Sequence, residues 1–337
     1  MLSLPWLNSL APHRTNRSRR KSRRHHGHRN RVRRPFGRRA TIEALEARTL
    51  LAVTVVNVDT FEDVVDPDDG VTSLREAIIE ANSNPGDYEI RLPAGEYFLT
   101  IPGADEDDGF TGDLDIHPNG SVTIIGVGEG QTIVNAGGLE NADETQESIP
   151  ALGDRVFHVH SGAVLAIEAL TIAGGTAPGG YSSGRGGGVY VEGQLYFDDG
   201  VYVAEATSLY VNQVTLVDNH AAHGGGVYAK SGQVAIVDST FVGNSAVWGG
   251  GGVYNSGIGQ VSLVGSTLVE NEASRGGGLV NSGATLMITD SLISATRPRA
   301  TAGESRIGLA RPSWQAARSP EIGQANPAAV CFPFLVI

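Results

Sequence analysis

The sequence predicts an all-β protein, a parallel β-helix of stacked coils, and three observations predict it. One phrase is written three times, as Thr215-Leu216-Val217-Asp218-Asn219, Thr240-Phe241-Val242-Gly243-Asn244 and Thr267-Leu268-Val269-Glu270-Asn271, so its asparagines step by 25 and then 27 residues. A glycine phrase keeps the same period: Gly224-Gly225-Gly226-Val227-Tyr228, Gly250-Gly251-Gly252-Val253-Tyr254 and Gly276-Gly277-Gly278-Leu279-Val280, 26 residues apart. Apolar residues fall into columns that keep register with both phrases: Leu209, Val234, Val261 and Leu286; Val211, Ile236, Leu263 and Ile288; Leu216, Phe241, Leu268 and Leu292; and Val227, Val253 and Leu279. A fixed period in this range marks a solenoid.

Within a unit the first two columns sit two residues apart, which puts their side chains on one face of a strand. One unit cannot bury that face alone, but a stack can, with like above like at about 4.8 Å per coil. Asn219, Asn244 and Asn271 are expected to take the left-handed conformation of a sharp corner and to hydrogen-bond up the stack. Gly224, Gly225, Gly226, Gly250, Gly251, Gly252, Gly276, Gly277 and Gly278 are expected to supply positive φ and to clear side chains where coils approach. A flexible glycine-rich linker would not hold valines and leucines in register with its glycines.

Composition sets the outer bounds. A chain of 337 residues with 40% hydrophobic content can bury a sizeable core, and 45 glycines with 6% aromatics suit a turn-rich β protein. The net charge of −12 conceals two unlike halves. Residues 1–48 hold 14 Lys and Arg against 2 Asp and Glu, whereas the remainder holds 11 against 35. A single cysteine, Cys331, rules out an intrachain disulfide. No apolar run approaches the ~20 residues of a membrane-spanning helix.

In chain order the first segment, 1–52, is basic. Arg19-Arg20-Lys21-Ser22-Arg23-Arg24-His25-His26, read alone, would suit phosphate binding. Its sequel points elsewhere. Leu45-Glu46-Ala47-Arg48-Thr49-Leu50-Leu51-Ala52 resembles the LEPR-XLL motif of large planctomycete surface proteins, with Ala47 in place of its proline. A basic region before Leu50-Leu51-Ala52-Val53 also resembles an export signal. The resemblance implies export and no nucleic-acid partner, and the leader is expected to be disordered.

Segment 53–87 is read as an N-terminal cap. Its Asp68-Asp69-Gly70-Val71-Thr72-Ser73-Leu74-Arg75-Glu76-Ala77-Ile78-Ile79-Glu80-Ala81-Asn82 resembles the SLREA segment of bacterial surface β-helices, including the chlamydial polymorphic outer-membrane family. Thr72 or Ser73 can cap a helix, Glu76 adds negative charge to its first turn, and Leu74, Ala77, Ile78 and Ala81 share a face. Such a helix is expected to cover the apolar end of the first coil. Arg75 and Glu76 are expected to form a structural pair.

Residues 88–294 form the predicted β-helix. Tyr88 to Thr100 reads strand–turn–strand, and Leu114, Ile116, Val122 and Ile124 continue the alternation. Gly112-Asp113-Leu114-Asp115-Ile116 and Ile124-Ile125-Gly126-Val127-Gly128 resemble the same surface family. Gly126 to Gly130 spells GxGxG, but no helix follows, so a phosphate cradle is rejected. Leu165, Ile167, Leu170 and Ile172 align with the columns, Gly175 replaces the corner asparagine, and Glu192 to Ala206 reads as an inserted loop. A right hand follows from crossover chirality and from the resemblance, which implies a pectin-lyase-like solenoid. Residues 295–337 carry no column and are read as an irregular tail.

The chemistry-bearing residues are sparse. Asp66-Pro67-Asp68-Asp69 and Asp105-Glu106-Asp107-Asp108-Gly109 lack the ligand spacing of a calcium loop, so no cofactor is expected beyond weak calcium association there. Between 49 and 294 there are six cationic side chains, Arg75, Arg91, Arg155, Arg185, Lys230 and Arg275, against 33 acidic ones. Arg185 and Arg275 each precede a glycine triplet, Asp198 and Asp199 sit in the insertion, and His220 and His223 flank a corner. His158 and His160 alternate along a strand and read as a solvent-facing pair, since metal ligation needs a third partner. No catalytic, cofactor or metal residue is assigned. The expected role is an exported structural or adhesive module without catalysis at the cell surface, outer membrane or outside the cell. It would be monomeric, contacting cell-envelope components or a surface polysaccharide or protein. The alternative is a polysaccharide lyase or hydrolase, whose acidic substrate this acidic chain would repel without a bridging cation.

Overall fold

The computed structural model describes residues 52–103, 106–137, 153–177, 179–180, 183–198, 200–294, 297–298 and 334–336. The basic leader, save Ala52, and most of the expected tail lie outside the described residues. What is described is all-β, with parallel sheets and the single helix Leu74–Ser83.

Each repeat pairs in parallel with the repeat before it. Along the largest sheet run Thr54–Asn57, Tyr88–Arg91, Ser121–Ile125, Val164–Ala173, Ser208–Val217, Gln233–Val237, Gln260–Val264 and Thr285–Thr289, in that order. A second sheet stacks Leu114–Ile116, Phe157–Val159, Val189–Glu192, Val227–Lys230, Val253–Ser256 and Leu279–Ser282. A third stacks His220–His223, Ser245–Gly249 and Glu272–Ala273. Two short segments of the expected tail join in: Arg297–Pro298 extends the third sheet, and Phe334–Val336 pairs antiparallel with Leu279–Ser282.

The apolar columns point inward. Val122, Leu165, Leu209, Val234, Val261 and Leu286 lie over one another in register and are all buried. So do Ile90, Ile124, Ile167, Val211, Ile236 and Leu263, a row that ends on the half-exposed Ile288. Each such side chain contributes roughly 1.5–3 kcal/mol by leaving water. The third column is corrected at its end: Leu268 faces Ile293, while Leu292 pairs with Thr267 and is exposed. Ser291-Leu292-Ile293 replays Ser266-Thr267-Leu268, so Leu292 takes the outward threonine place.

The chain turns on left-handed residues that recur once per coil. One column is Gly174, Asp218, Gly243 and Glu270; another is Gln213, Asp238, Gly265 and Asp290; a third is Gly186, Gly224, Gly250 and Gly276. The asparagines are therefore not the left-handed residues, contrary to expectation; the residue before each one is. The reason lies in what the asparagine side chain does. Asn244 Oδ1 accepts from Asn219 N at 3.1 Å and from Asn219 Nδ2 at 2.9 Å, and its own Nδ2 donates to Leu216 O and to Asn271 Oδ1. Asn271 repeats this against Asn244. All three are fully buried, which places the ladder in the interior and leaves the turn to its neighbour. Ser239, Ser266 and Ser291 form a second ladder, each hydroxyl accepting a backbone N–H from the preceding coil.

In the glycine phrase the first residue supplies the positive φ, +65° at Gly224. The second serves close approach: a Cβ on Gly225 would fall 2.3 Å from Ser245 O and 2.6 Å from Gly251 O.

The helix starts on a capping box: Glu76 N donates to Ser73 Oγ, and Ser73 N donates to Glu76 Oε2. Glu76 is thus occupied with Ser73, and the partner of Arg75 is Asp63, not Glu76 as expected. The fully buried Arg75 holds Asp63 in a fork, with Nε 2.6 Å from Oδ1 and Nη2 3.1 Å from Oδ2. Its remaining donors reach Gly109 O, Gly112 O and Asp113 O. Asn82, near the helix end, gives Nδ2 to Asp115 O and takes His117 N on Oδ1. One carboxamide thereby serves as the missing strand beside Leu114–Ile116, which closes that sheet edge.

Candidate functional site

The second sheet carries an outward row in which chemistry-bearing side chains meet. Register places Asp115 beside His158, His158 beside Tyr190, Tyr190 beside Tyr228 and Tyr228 beside Tyr254. The inward neighbours Leu114, Phe157, Val189, Val227 and Val253 anchor these strands in the core. The rings of His158 and Tyr190 stack at 4.8 Å, as do Tyr228 and Tyr254 at 5.2 Å. Two guanidiniums lie over the row, Arg155 over Tyr190 and Arg185 over Tyr228, each about 5.5 Å from the ring. Tyr190 and Tyr228 are in consequence buried although they face outward. Burial, with Glu192 nearby, pushes the Tyr190 hydroxyl up to about 12.

At the head of the row titratable groups crowd together. His160 Nε2 lies 2.7 Å from Asp115 Oδ1, His158 Nδ1 3.3 Å from the same oxygen, and His158 Nδ1 3.9 Å from Asp107 Oδ1. On its other side His158 Nε2 faces Glu192 Oε2 at 3.6 Å, and Glu192 is held by Lys230 Nζ at 3.0 Å. His158 is buried, so the expectation of a solvent-facing pair fails for it; His160 is half-buried. Burial pulls the His158 imidazole down, but the flanking Asp115 and Glu192 carboxylates outweigh it and hold its pKa above the usual value. Burial likewise raises Asp115, and the two histidines reverse that to a net lowering. Glu192 drops to about 2, chiefly through His158 and then Lys230.

A buried charge cluster adjoins this head. Arg155 Nη1 sits 3.2 Å from Asp113 Oδ2, and Arg155 N donates to Asp154 Oδ1 at 2.8 Å. Burial dominates both acids, raising Asp113 well above the carboxylate range and Asp154 to about 6, against the pull of Arg155.

Arg185, already over Tyr228, bridges in parallel to His223, whose ring lies against Tyr254 at 5.1 Å, so both border the row. The remaining candidates scatter. His220 pairs through Nδ1 with Ser245 Oγ. Arg275 is exposed farther along the stack, Asp198 is exposed at the tip of the insertion, and Asp199 lies outside the described residues. In the first acidic loop Asp66 and Asp69 spend carboxylate oxygens on the N–H groups of Asp68 and Val71. Sequence reasoning missed Asp115 as the partner of the histidines, and the tyrosine row altogether. A signal was there: Gly186-Gly187-Gly188-Val189-Tyr190 is a fourth copy of the glycine phrase, and its tyrosine register leads back to His158 and Asp115.

The insertion is an antiparallel hairpin, Leu195–Asp198 with Val201–Ala204. It stands out from the coils, with Tyr196, Phe197, Val201 and Tyr202 exposed.

No protein-family model matches the chain, and neither does any curated protein or solved structure.

Proposed function

We propose that this protein is an exported right-handed parallel β-helix of the pectin-lyase-like kind, displayed at the cell surface or outer membrane, whose work is contact and adhesion without catalysis. The observation that carries the reading is the exposed hairpin. Phe197, Val201 and Tyr202 are each about two-thirds exposed, on an element that adds nothing to the apolar rows. Apolar side chains gathered in the open mark an interaction surface, and a rigid stack is a suitable pedestal for one. The resemblance of the leader and of the SLREA segment to surface proteins supports export and the partner class, envelope components or a surface polysaccharide or protein. Replacing Tyr196, Phe197 and Tyr202 by Ser tests it in a co-sedimentation assay with isolated cell envelopes. Wild type is expected in the pellet and the variant, equally folded by circular dichroism, in the supernatant. Equal sedimentation of the two defeats the reading.

A second reading, a carbohydrate-active enzyme, is favoured by one observation, the Asp115–His158–Tyr190–Tyr228–Tyr254 row under two arginines. Aromatic faces and cations beside a carboxylate suit a sugar acid. Incubation with a panel of uronate polymers, with and without calcium, separates the two readings: new reducing or unsaturated ends select the enzyme.

A further inference from the structure

We propose that Asp107, Asp115, His158 and His160 bind one divalent first-row transition metal ion, zinc being the best fit. One donor atom from each of the four lies within 4.8 Å of the others. The separations from His158 Nδ1 to Asp115 Oδ1 and Asp107 Oδ1, 3.3 and 3.9 Å, are long for a hydrogen bond. The first equals the edge of a tetrahedron with metal–ligand bonds of 2.0–2.1 Å, about 3.3 Å, and the second, to the exposed Asp107, closes by roughly 0.6 Å to reach it. The shorter His160–Asp115 contact opens by roughly 0.6 Å to reach that edge.

A second observation is independent of these distances. Asp115 is fully buried, yet its Oδ2 has no hydrogen-bond partner, and neither has Nδ1 of the buried His158. Unpartnered buried polar atoms are costly and demand a reason. A cation between the carboxylates and imidazoles supplies one, and two aspartates balance its charge. The surround is also that of a metal site. Glu192, fixed by Lys230, faces His158 Nε2 and orients the ring so that Nδ1 points at the carboxylates, the usual carboxylate–histidine–metal arrangement. Two imidazoles select zinc, cobalt or nickel over calcium and magnesium, which take oxygen donors. Asp115, His158 and His160 form the inner set; Asp107, three-quarters exposed, closes it from the solvent side.

Calorimetric titration of the full chain with zinc sulfate, repeated with cobalt chloride followed by visible absorption, tests the assignment. His13, His25, His26 and His28 of the leader offer zinc a competing site, which the variant His160→Gln leaves intact. Wild type is expected to take up one more equivalent than His160→Gln. It should also show four-coordinate cobalt absorption that His160→Gln lacks, unaffected by a hundredfold excess of calcium. Asp107→Asn, a change at an exposed position that leaves the fold intact, is expected to weaken binding at least about tenfold. Equal stoichiometry and affinity in wild type and His160→Gln, or no saturable binding in either, overturns the proposal. If His160→Gln does not fold, unchanged affinity in Asp107→Asn overturns the four-ligand set.

Discussion

Asn244 accepts two hydrogen bonds from Asn219 and donates two, to Leu216 O and Asn271, all without access to water. Truncation to alanine removes all four bonds, but Asn271 Oδ1 keeps Asn244 N and Asn219 Nδ2 keeps Ile172 O, so the loss falls on Asn219 N and Leu216 O. Asn244→Ala is therefore expected to destabilise by about 3 kcal/mol, the order of two unsatisfied buried groups, read from the urea midpoint. A shift below about 1 kcal/mol contradicts an interior ladder. Arg75 poses the same question with charge. Its fork on Asp63 and its three carbonyl partners need a planar guanidinium, so Arg75→Lys keeps the charge and loses the geometry. A loss of about 3 kcal/mol is expected in the same assay, as for breaking a buried pair. The sequence announced Arg75 as structural but not its partner. Asp63 precedes it by twelve positions in a segment without periodicity, and nothing local ties the two together.

At the scale of elements, the glycine phrase divides its labour, and that division is testable. Gly225 faces backbone oxygens of the next coil, whereas Gly180 has no atom near its absent Cβ and no left-handed φ. Gly225→Ala is expected to cost about 3 kcal/mol or more, because the neighbours it would strike are main chain and cannot rotate away. Gly180→Ala should stay within about 0.5 kcal/mol. Comparable costs at the two sites would mean that the glycines serve flexibility and not approach. Strands, columns and the insertion were legible because a fixed period repeats the same burial pattern, and the helix because Ser73 and Glu76 spell a capping box. Left-handed corners were assigned to the wrong residue because asparagine favours both corners and ladders, and only the backbone tells which. His158 was misjudged because alternation along Phe157–Val159 says outward, while the cover from Arg155, Glu192 and Asp115 comes from other segments.

For the whole molecule, the buried acids give stability a direction in pH. Asp113 and Asp154 have folded pKa values above their ordinary ones, so their contribution is complete below about 4 and is lost as pH rises, for Asp154 through about 6. His158, also raised, adds stability below its ordinary value and loses it as pH climbs past the folded one. Glu192, lowered to about 2, acts oppositely, losing its contribution as pH falls toward that value. Chelator-treated protein is accordingly expected to melt at a higher temperature at pH 5 than at pH 7.5. Asp154→Asn should remove part of the difference, of the order of 1–1.5 kcal/mol, since pH 5 lies only about one unit below the folded value of about 6. A Tm equal at both pH values contradicts this.

All of these rest on one relation, that each repeat lies in register above the last. Thr215, Thr240 and Thr267 are successive partners on the outward face. Neighbours in that row stand about 4.8 Å apart at Cα, within disulfide reach, while Thr215 and Thr267 stand about twice as far, beyond it. In a Cys331→Ser background, Thr215→Cys with Thr240→Cys is expected to cross-link fully under mild oxidant, and Thr215→Cys with Thr267→Cys to remain reduced. A cross-link in the second pair and none in the first would contradict the stacked register.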